Sequence, residues 1–279
     1  MKKLILIFVV VLASLSTAKE MTKNETIEKK FVIEKPSKEF LVVVDNVFGS
    51  IKIKGIKSKT LKAMIKKSVW ARSEEQFEKA LEDVSLDIIQ ETDVIEFYVD
   101  GPFRDREDGR SSYSEKRYTV TYDFELEVPR DVSIDICTVN GSDIVVQNLR
   151  GAYDVHNVNG GIEMEGIRGS GDAITVNGPV SCQFDENPEE DCEFRSINGD
   201  IRITLQDPLS VDVTFKTLNG EMYSDFKVSH VPESQFTRTK KNGRTIYKAE
   251  HPMKVRAGNG GALIAASGIN GDLFILKDK

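Results

Sequence analysis

Apolar and polar residues alternate through most of this chain, and the alternation breaks again and again at one dipeptide. Asn-Gly closes a β-prone run, or follows a small residue, at Asn140-Gly141, Asn159-Gly160, Asn177-Gly178, Asn198-Gly199, Asn219-Gly220, Asn259-Gly260 and Asn270-Gly271. The spacings of 19, 18, 21, 21, 40 and 11 residues are about one, one, one, one, two and half of a single period, which marks an internal repeat. Aligned on the Asn, the preceding residue is Val139, Val158, Val176, Ile197, Leu218 or Ile269, always apolar. One place earlier stand Thr138, Asn157, Thr175, Ser196 and Thr217, all small and polar. After the corner, alternation continues through Ile144 and Val146, Ile162 and Met164, Val180 and Cys182, or Ile201 and Ile203, as expected of strands with one face buried and the other wet. Each repeat therefore predicts strand, Asn-Gly corner, strand, second corner.

Two folds use such a unit. In a parallel β-solenoid the corners lie over one another about 4.8 Å apart, with Asn140, Asn159, Asn177, Asn198, Asn219 and Asn270 forming a hydrogen-bonded ladder. In an antiparallel meander each Asn-Gly is a type I′ hairpin turn. The solenoid is favoured, because only stacking in register explains the same small polar residue beside every corner. Gly follows Asn, on this reading, because the corner needs positive φ. Lys240-Lys241-Asn242-Gly243-Arg244 is different: charged residues flank its Asn-Gly, which predicts a true hairpin tip.

The N-terminal half carries a fainter copy. Gly49-Ser50-Ile51-Lys52-Ile53-Lys54-Gly55 matches Gly160-Gly161-Ile162-Glu163-Met164-Glu165-Gly166, which starts the solenoid near Phe40. One short α-helix is predicted at 73–84, with Ser73 as N-cap, Gln76 at capping-box spacing, and Phe77, Ala80, Leu81 and Val84 on one stripe. It should cover an end or flank of the β-core. A charged loop without periodicity spans 100–117, and Leu273-Phe274-Ile275-Leu276 reads as the final rung.

Residues 1–18 join a basic start to an apolar run from Leu4 to Ala13 and small residues at Ser16 and Ala18, the pattern of a secretory signal peptide. The apolar run is shorter than a bilayer span requires, and no later stretch is apolar enough to cross, so no integral membrane segment is expected after cleavage. The organisation expected is a signal peptide over 1–18 and a single β-solenoid domain over 19–279, its regular repeats occupying 126–279. Export to the periplasm, cell surface or extracellular space follows from the signal. Without the leader, 36 basic residues face 45 acidic ones, a surface that disfavours nucleic acid. Cys182 and Cys192 flank the acidic loop 185–191, and in an exported chain their spacing allows a disulfide closing that loop; two small buried thiols are the alternative.

Candidate chemistry is sparse. Asp143, Glu163, Glu165, Asp200 and Glu221 fall on or near the outward face, where solubility already calls for charge. His156 takes a repeat position held elsewhere by Cys137, Ile174, Arg195 and Lys216, and His230 with His251 lacks a third metal ligand. The loop 185–191 clusters carboxylates that suit Ca²⁺ but lacks the order of a known calcium loop. No catalytic set, cofactor site or metal site is assigned. Phe103, Arg104, Arg110, Tyr113 and Tyr247, in irregular loops, are of the contact types enriched in interfaces.

From Tyr122 to Gly141, Tyr-Asp-Phe-Glu-Leu-Glu-Val-Pro-Arg-Asp-Val-Ser-Ile-Asp-Ile-Cys-Thr-Val-Asn-Gly and the Thr-Val-Asn-Gly units after it resemble the bacterial putative-adhesin repeat family of unknown function. The final Gly268-Ile269-Asn270 is similar to related adhesin-head domains. The resemblance, over roughly 40–279, implies an exported or envelope-associated β-solenoid and brings no catalytic residues. The function expected is a non-catalytic binding scaffold for a surface glycan or envelope protein, with end-to-end self-association open. The alternatives are a carbohydrate-active β-helix enzyme and a periplasmic accessory of an envelope-stress pathway.

Overall fold

The computed structural model describes residues 20–104, 118–231, 236–241, 244–249 and 253–278. The leader thus lies outside the described residues, as do most of the 100–117 loop and the Asn242-Gly243 tip. The chain begins with β1 (Met21–Val32), β2 (Leu41–Asp45), β3 (Ile51–Ile56), β4 (Thr60–Ala71), α1 (Glu74–Asp83), β5 (Ser85–Gln90), β6 (Val94–Asp100) and β7 (Tyr118–Pro129). The repeats follow as β8 (Ser133–Thr138), β9 (Ile144–Gln147), β10 (Tyr153–Asn159), β11 (Ile162–Ile167), β12 (Gly171–Asn177), β13 (Val180–Phe184), β14 (Cys192–Asn198), β15 (Ile201–Leu205), β16 (Val211–Lys216) and β17 (Met222–Ser224). The remainder is β18 (Val228–His230), β19 (Phe236–Lys241), β20 (Arg244–Ala249), β21 (Met253–Ala257), β22 (Leu263–Asn270) and β23 (Leu273–Lys277).

These strands form two large mixed sheets. One runs β1-β4-β7-β3-β9-β11-β13-β15-β23-β17-β20-β19 and the other β18-β21-β16-β22-β14-β12-β10-β8-β2-β6-β5. From β8 to β15 successive strands alternate between the sheets, so each pairs in parallel with the strand one repeat away: Val155 lies beside Ile136 and Ala173, and Asn177 beside Asn159 and Asn198. The type I′ meander is therefore not the arrangement of the regular repeats. Antiparallel pairing appears toward the sheet ends, in β1-β4-β7, β5-β6, β16-β21-β18 and β17-β20-β19. Strands added in this way continue the ladder where the parallel run would otherwise end in open N–H and C=O groups.

The two sheets share one apolar core, because inward positions recur every second residue. Phe184 of β13 meets Phe194 of β14 edge to face, with ring centroids 6.4 Å apart, and Phe97 of β6 meets Phe124 of β7 at 6.1 Å. Helix α1 starts at Ser73, whose Oγ accepts from the Gln76 N–H at 3.3 Å, and buries Phe77 and Ala80. The fainter copy is also present: β2 and β3 pair in parallel with β8 and β9, and Phe48 occupies the place of Asn140's partner.

Three expectations are corrected. β22 and β23 are not the final rung. They lie between β14/β15 and β16/β17, so the Leu263–Lys277 segment separates two repeats that precede it in the chain. Asn259-Gly260 is no repeat corner either; it sits in a tight turn between β21 and β22, where Gly258 has φ 58° and Gly260 φ 79°. Finally, among the corner glycines of the column only Gly178 and Gly271 have positive φ. What all of them share is close approach: a Cβ at Gly141, Gly160, Gly178, Gly199, Gly220 or Gly271 would fall 2.0 to 2.8 Å from a backbone or side-chain atom, mostly the corner carbonyl of the adjoining repeat.

Candidate interaction surface

At each corner, burial runs against polarity. Thr138, Asn157, Thr175 and Ser196 point inward and are almost fully buried, whereas the aliphatic residue after each is partly exposed, and its counterparts Ile269 and Leu218 are 42% and 77% exposed. The inward polar groups are satisfied by the backbone of the adjoining repeat: Thr175 Oγ1 donates to the Gly160 carbonyl at 2.8 Å, and Ser196 Oγ to that of Gly178 at 2.8 Å. Asn157 does the same less completely. Its Nδ2 reaches the carbonyls of Gly161 and Ser142 at 3.1 and 3.3 Å, but its buried Oδ1 has no partner. Asn157→Thr, which restores the residue found at Thr138 and Thr175, is expected to gain up to about 1 kcal/mol by removing that orphan. A higher urea midpoint at unchanged slope would register the gain.

The six sequence-selected asparagines lie in one exposed line, in spatial rather than chain order. Asn159 Nδ2 donates to Asn140 Oδ1, Asn177 to Asn159, Asn198 to Asn177, Asn270 to Asn198 and Asn219 to Asn270, each at 2.9 Å. The carboxylates just past the corners serve the backbone in the same way. Asp123 Oδ1 accepts from Ser50 N, Asp143 from Gly161 N, Asp200 from Asp272 N and Asp272 from Glu221 N, at 2.6 to 3.0 Å. Among the described residues no three His, Cys, Asp or Glu side chains gather in a metal-binding arrangement. In the loop 185–191, Asp185 and Glu186 pair with Arg168, and Asp191 accepts from Leu263 N at 2.8 Å.

A second acidic line crosses the outer face of the other sheet, where the parallel register places Asp135, Asp154, Asp172 and Glu193 on neighbouring strands. His156 Nε2 lies 2.6 Å from Asp154. Burial first, and the Asp154 carboxylate second, raise the pKa of Asp135. A carboxyl whose pKa is raised by folding adds stability only below its unfolded pKa and loses it as pH climbs through the folded value. Asp135→Asn should therefore stabilise the protein at pH 7 by a few tenths of a kcal/mol, since the carboxyl is only partly buried and solvent screens it, and the gain should vanish below about pH 3.5. Thermal melts of both proteins across pH 3 to 7 measure it.

The other selected residues are accounted for structurally. Cys182 and Cys192 are free and buried in opposite sheets, and the Tyr153 hydroxyl donates to Cys192 Sγ at 3.6 Å. Burial raises both thiols, and pushes half-buried Cys137 up to about 11. Arg104 is tied down: its guanidinium pairs with both Asp45 carboxylate oxygens at 3.0 Å, bonds the Asp45 and Val99 carbonyls, and lies 4.2 Å from the Tyr98 ring centroid. Phe103 packs edge to face on Phe48. Arg110, Tyr113, His251 and the side chains of His230 and Tyr247 lie outside the described residues.

The feature that sequence reading passed over is a groove of about 670 Å³ on the outer face of the β1-β4-β7-β3-β9 end. Its floor is Met64 and Val145, and Lys30, Lys52, Lys54 and Lys62 stand along it with Glu28, Glu125 and Glu127. Lys66 bonds Glu125 at 3.0 Å, and Lys62 bonds Glu127 at 2.8 Å and, with a smaller contribution from Lys54, holds it below the usual carboxylate range. Lys30, Lys52 and Lys54 form no ion pair among the described residues. A signal was available: residues 19–71 hold 13 lysines against six acidic residues, whereas 72–279 hold 23 basic against 39 acidic. A net charge taken over the whole chain averages this asymmetry away.

No helix among the described residues is long and apolar enough to cross a membrane. No curated protein matches the chain. Among solved structures it is similar to a "putative cell adhesion protein" from Clostridium sporogenes, at 12% identity over 91% of this chain and 100% of that one, with a TM-score of 0.38. It is also similar to a "putative adhesin" from Bacteroides fragilis, at 8% identity over 91% and 97% with a TM-score of 0.35, and to a "putative lipid binding protein" from Parabacteroides distasonis, at 9% over 91% and 97% with a TM-score of 0.26. Residues 129–261, which include every asparagine of the column except Asn270, match the family model described as Toastrack DUF4097.

Proposed function

We propose that this chain is an exported, non-catalytic β-solenoid that binds a surface glycan or an envelope protein. The observation that carries the reading is the commitment of its corner side chains. Asparagines, hydroxyls and carboxylates bond the adjoining repeat rather than gather into a reactive cluster, which leaves a stiff surface suited to display. The parallel register between repeats supports the solenoid reading, and the leader pattern of 1–18 supports export.

Two measurements test this. Purified protein incubated with a panel of neutral and acidic polysaccharides is expected to leave every chain at its starting length; shortened chains whose appearance one Asp or Glu substitution abolishes would overturn the non-catalytic reading. A pull-down from native envelope extract is expected to retain a glycan or a protein, and an empty pull-down would overturn the binding reading.

A further inference from the structure

Resting on that binding reading, we infer that the groove beside β3 and β4 takes an anionic polysaccharide bearing carboxylates along its chain. Two observations converge there. First, Lys30 and Lys62 are direct cross-strand partners in the antiparallel β1-β4 pair. Like charges so placed repel, and each lysine has one carboxylate close by, Glu28 two residues from Lys30 on the same strand face and Glu127 bonded to Lys62. An anion lying between them removes the repulsion. Second, Lys52 and Lys54 project from one face of β3, across β7 from that pair; they stand opposite Glu125 and Glu127 without an ion pair among the described residues, and the lysines lining the groove outnumber its carboxylates five to three.

The form of the site selects among anions. Every basic residue between 19 and 71 is lysine. Lysine offers a mobile point charge and not the rigid fork that arginine presents to a single phosphate or carboxylate. That suits a flexible chain with charges spaced along it. The floor of Met64 and Val145 gives the apolar face of a sugar ring a surface to lie on. Glu28, Glu125 and Glu127 interrupt the lysines, so a broad anionic membrane pressed on this face would meet carboxylates, whereas one strand can thread between them. Nucleic acid is disfavoured by the acidic excess over 72–279.

The test uses the full chain and a fluorescent oligogalacturonate, a linear sugar polymer with one carboxylate per unit, with neutral dextran and phosphatidylglycerol vesicles as the other arms. Binding of oligogalacturonate but not dextran is expected, weakening as salt rises. The exposed double variant Lys52→Glu/Lys54→Glu, verified as folded by circular dichroism, should bind about tenfold or more weakly, and Lys227→Glu should not differ from the parent. Absence of oligogalacturonate binding, or binding that the double variant leaves intact, overturns the inference. So does a vesicle signal that the double variant abolishes while oligogalacturonate is ignored, which would reassign the lysines to a membrane. If the double variant still retains its partner from envelope extract, this groove assignment falls while the wider binding reading stands.

Discussion

Gly199→Ala is expected to cost about 3 kcal/mol or more, far beyond the loss of glycine's freedom. A Cβ at Gly199 would lie 2.1 Å from the Gly178 carbonyl oxygen and 2.5 Å from its carbon, and neither atom can rotate aside as a side chain would. To relieve the clash two repeats must part, at the place where Gly178 N donates to the Asn198 carbonyl and Asn198 Nδ2 donates to Asn177. Gly260→Ala supplies the contrast. Its φ of 79° is unfavourable for alanine, at about 1 kcal/mol, but its nearest neighbour is the end of the Arg256 side chain, which can move. Denaturation of both variants decides between causes: if Gly260→Ala proves the more damaging, backbone torsion and not inter-repeat contact governs the corners.

Phe194→Ala should cost about 3–5 kcal/mol for a different reason. Phe194 is fully buried and sets its ring edge against Phe184 from the opposing sheet, so truncation opens a hole between the two layers that flanking strands, fixed by parallel ladders on both sides, cannot collapse to fill. The loss should appear as a lower urea midpoint. The Asn column next to it should persist in the folded variant, because its hydrogen bonds are made outside the core.

Much of this fold was legible because the chain repeats, so each position could be compared with its equivalents. The strands on either side of Asn159, Asn177 and Asn198, the start of β2 at Leu41, and the helix capped by Ser73 all follow from local pattern. What escaped depended on contacts made at a distance. Spacing along a chain does not say which repeats adjoin: it makes Asn270 the last corner, whereas Asn270 lies between Asn198 and Asn219. Nor does polarity say which way Thr175 points when a carbonyl inside the core waits to accept from it. The groove is hidden in the sequence because its lysines come from β1, β3 and β4, which antiparallel pairing to β7 on one side and parallel pairing on the other bring to one face, while composition taken over the whole chain averages them away.

The placement of β22 and β23 has a consequence for how the molecule is put together. The segment 211–224 can join the main stack only once Leu263–Lys277 has been made and seated, because that later stretch supplies the edge on which it docks, its other partners β20 and β21 lying on the far side. Assembly therefore cannot advance in the order of synthesis beyond Leu205; a nascent chain must hold the intervening residues in reserve. Clipping off the last strands would then cost more than their own contacts, since it would also strand everything from Val211 to Ala257 without an anchor.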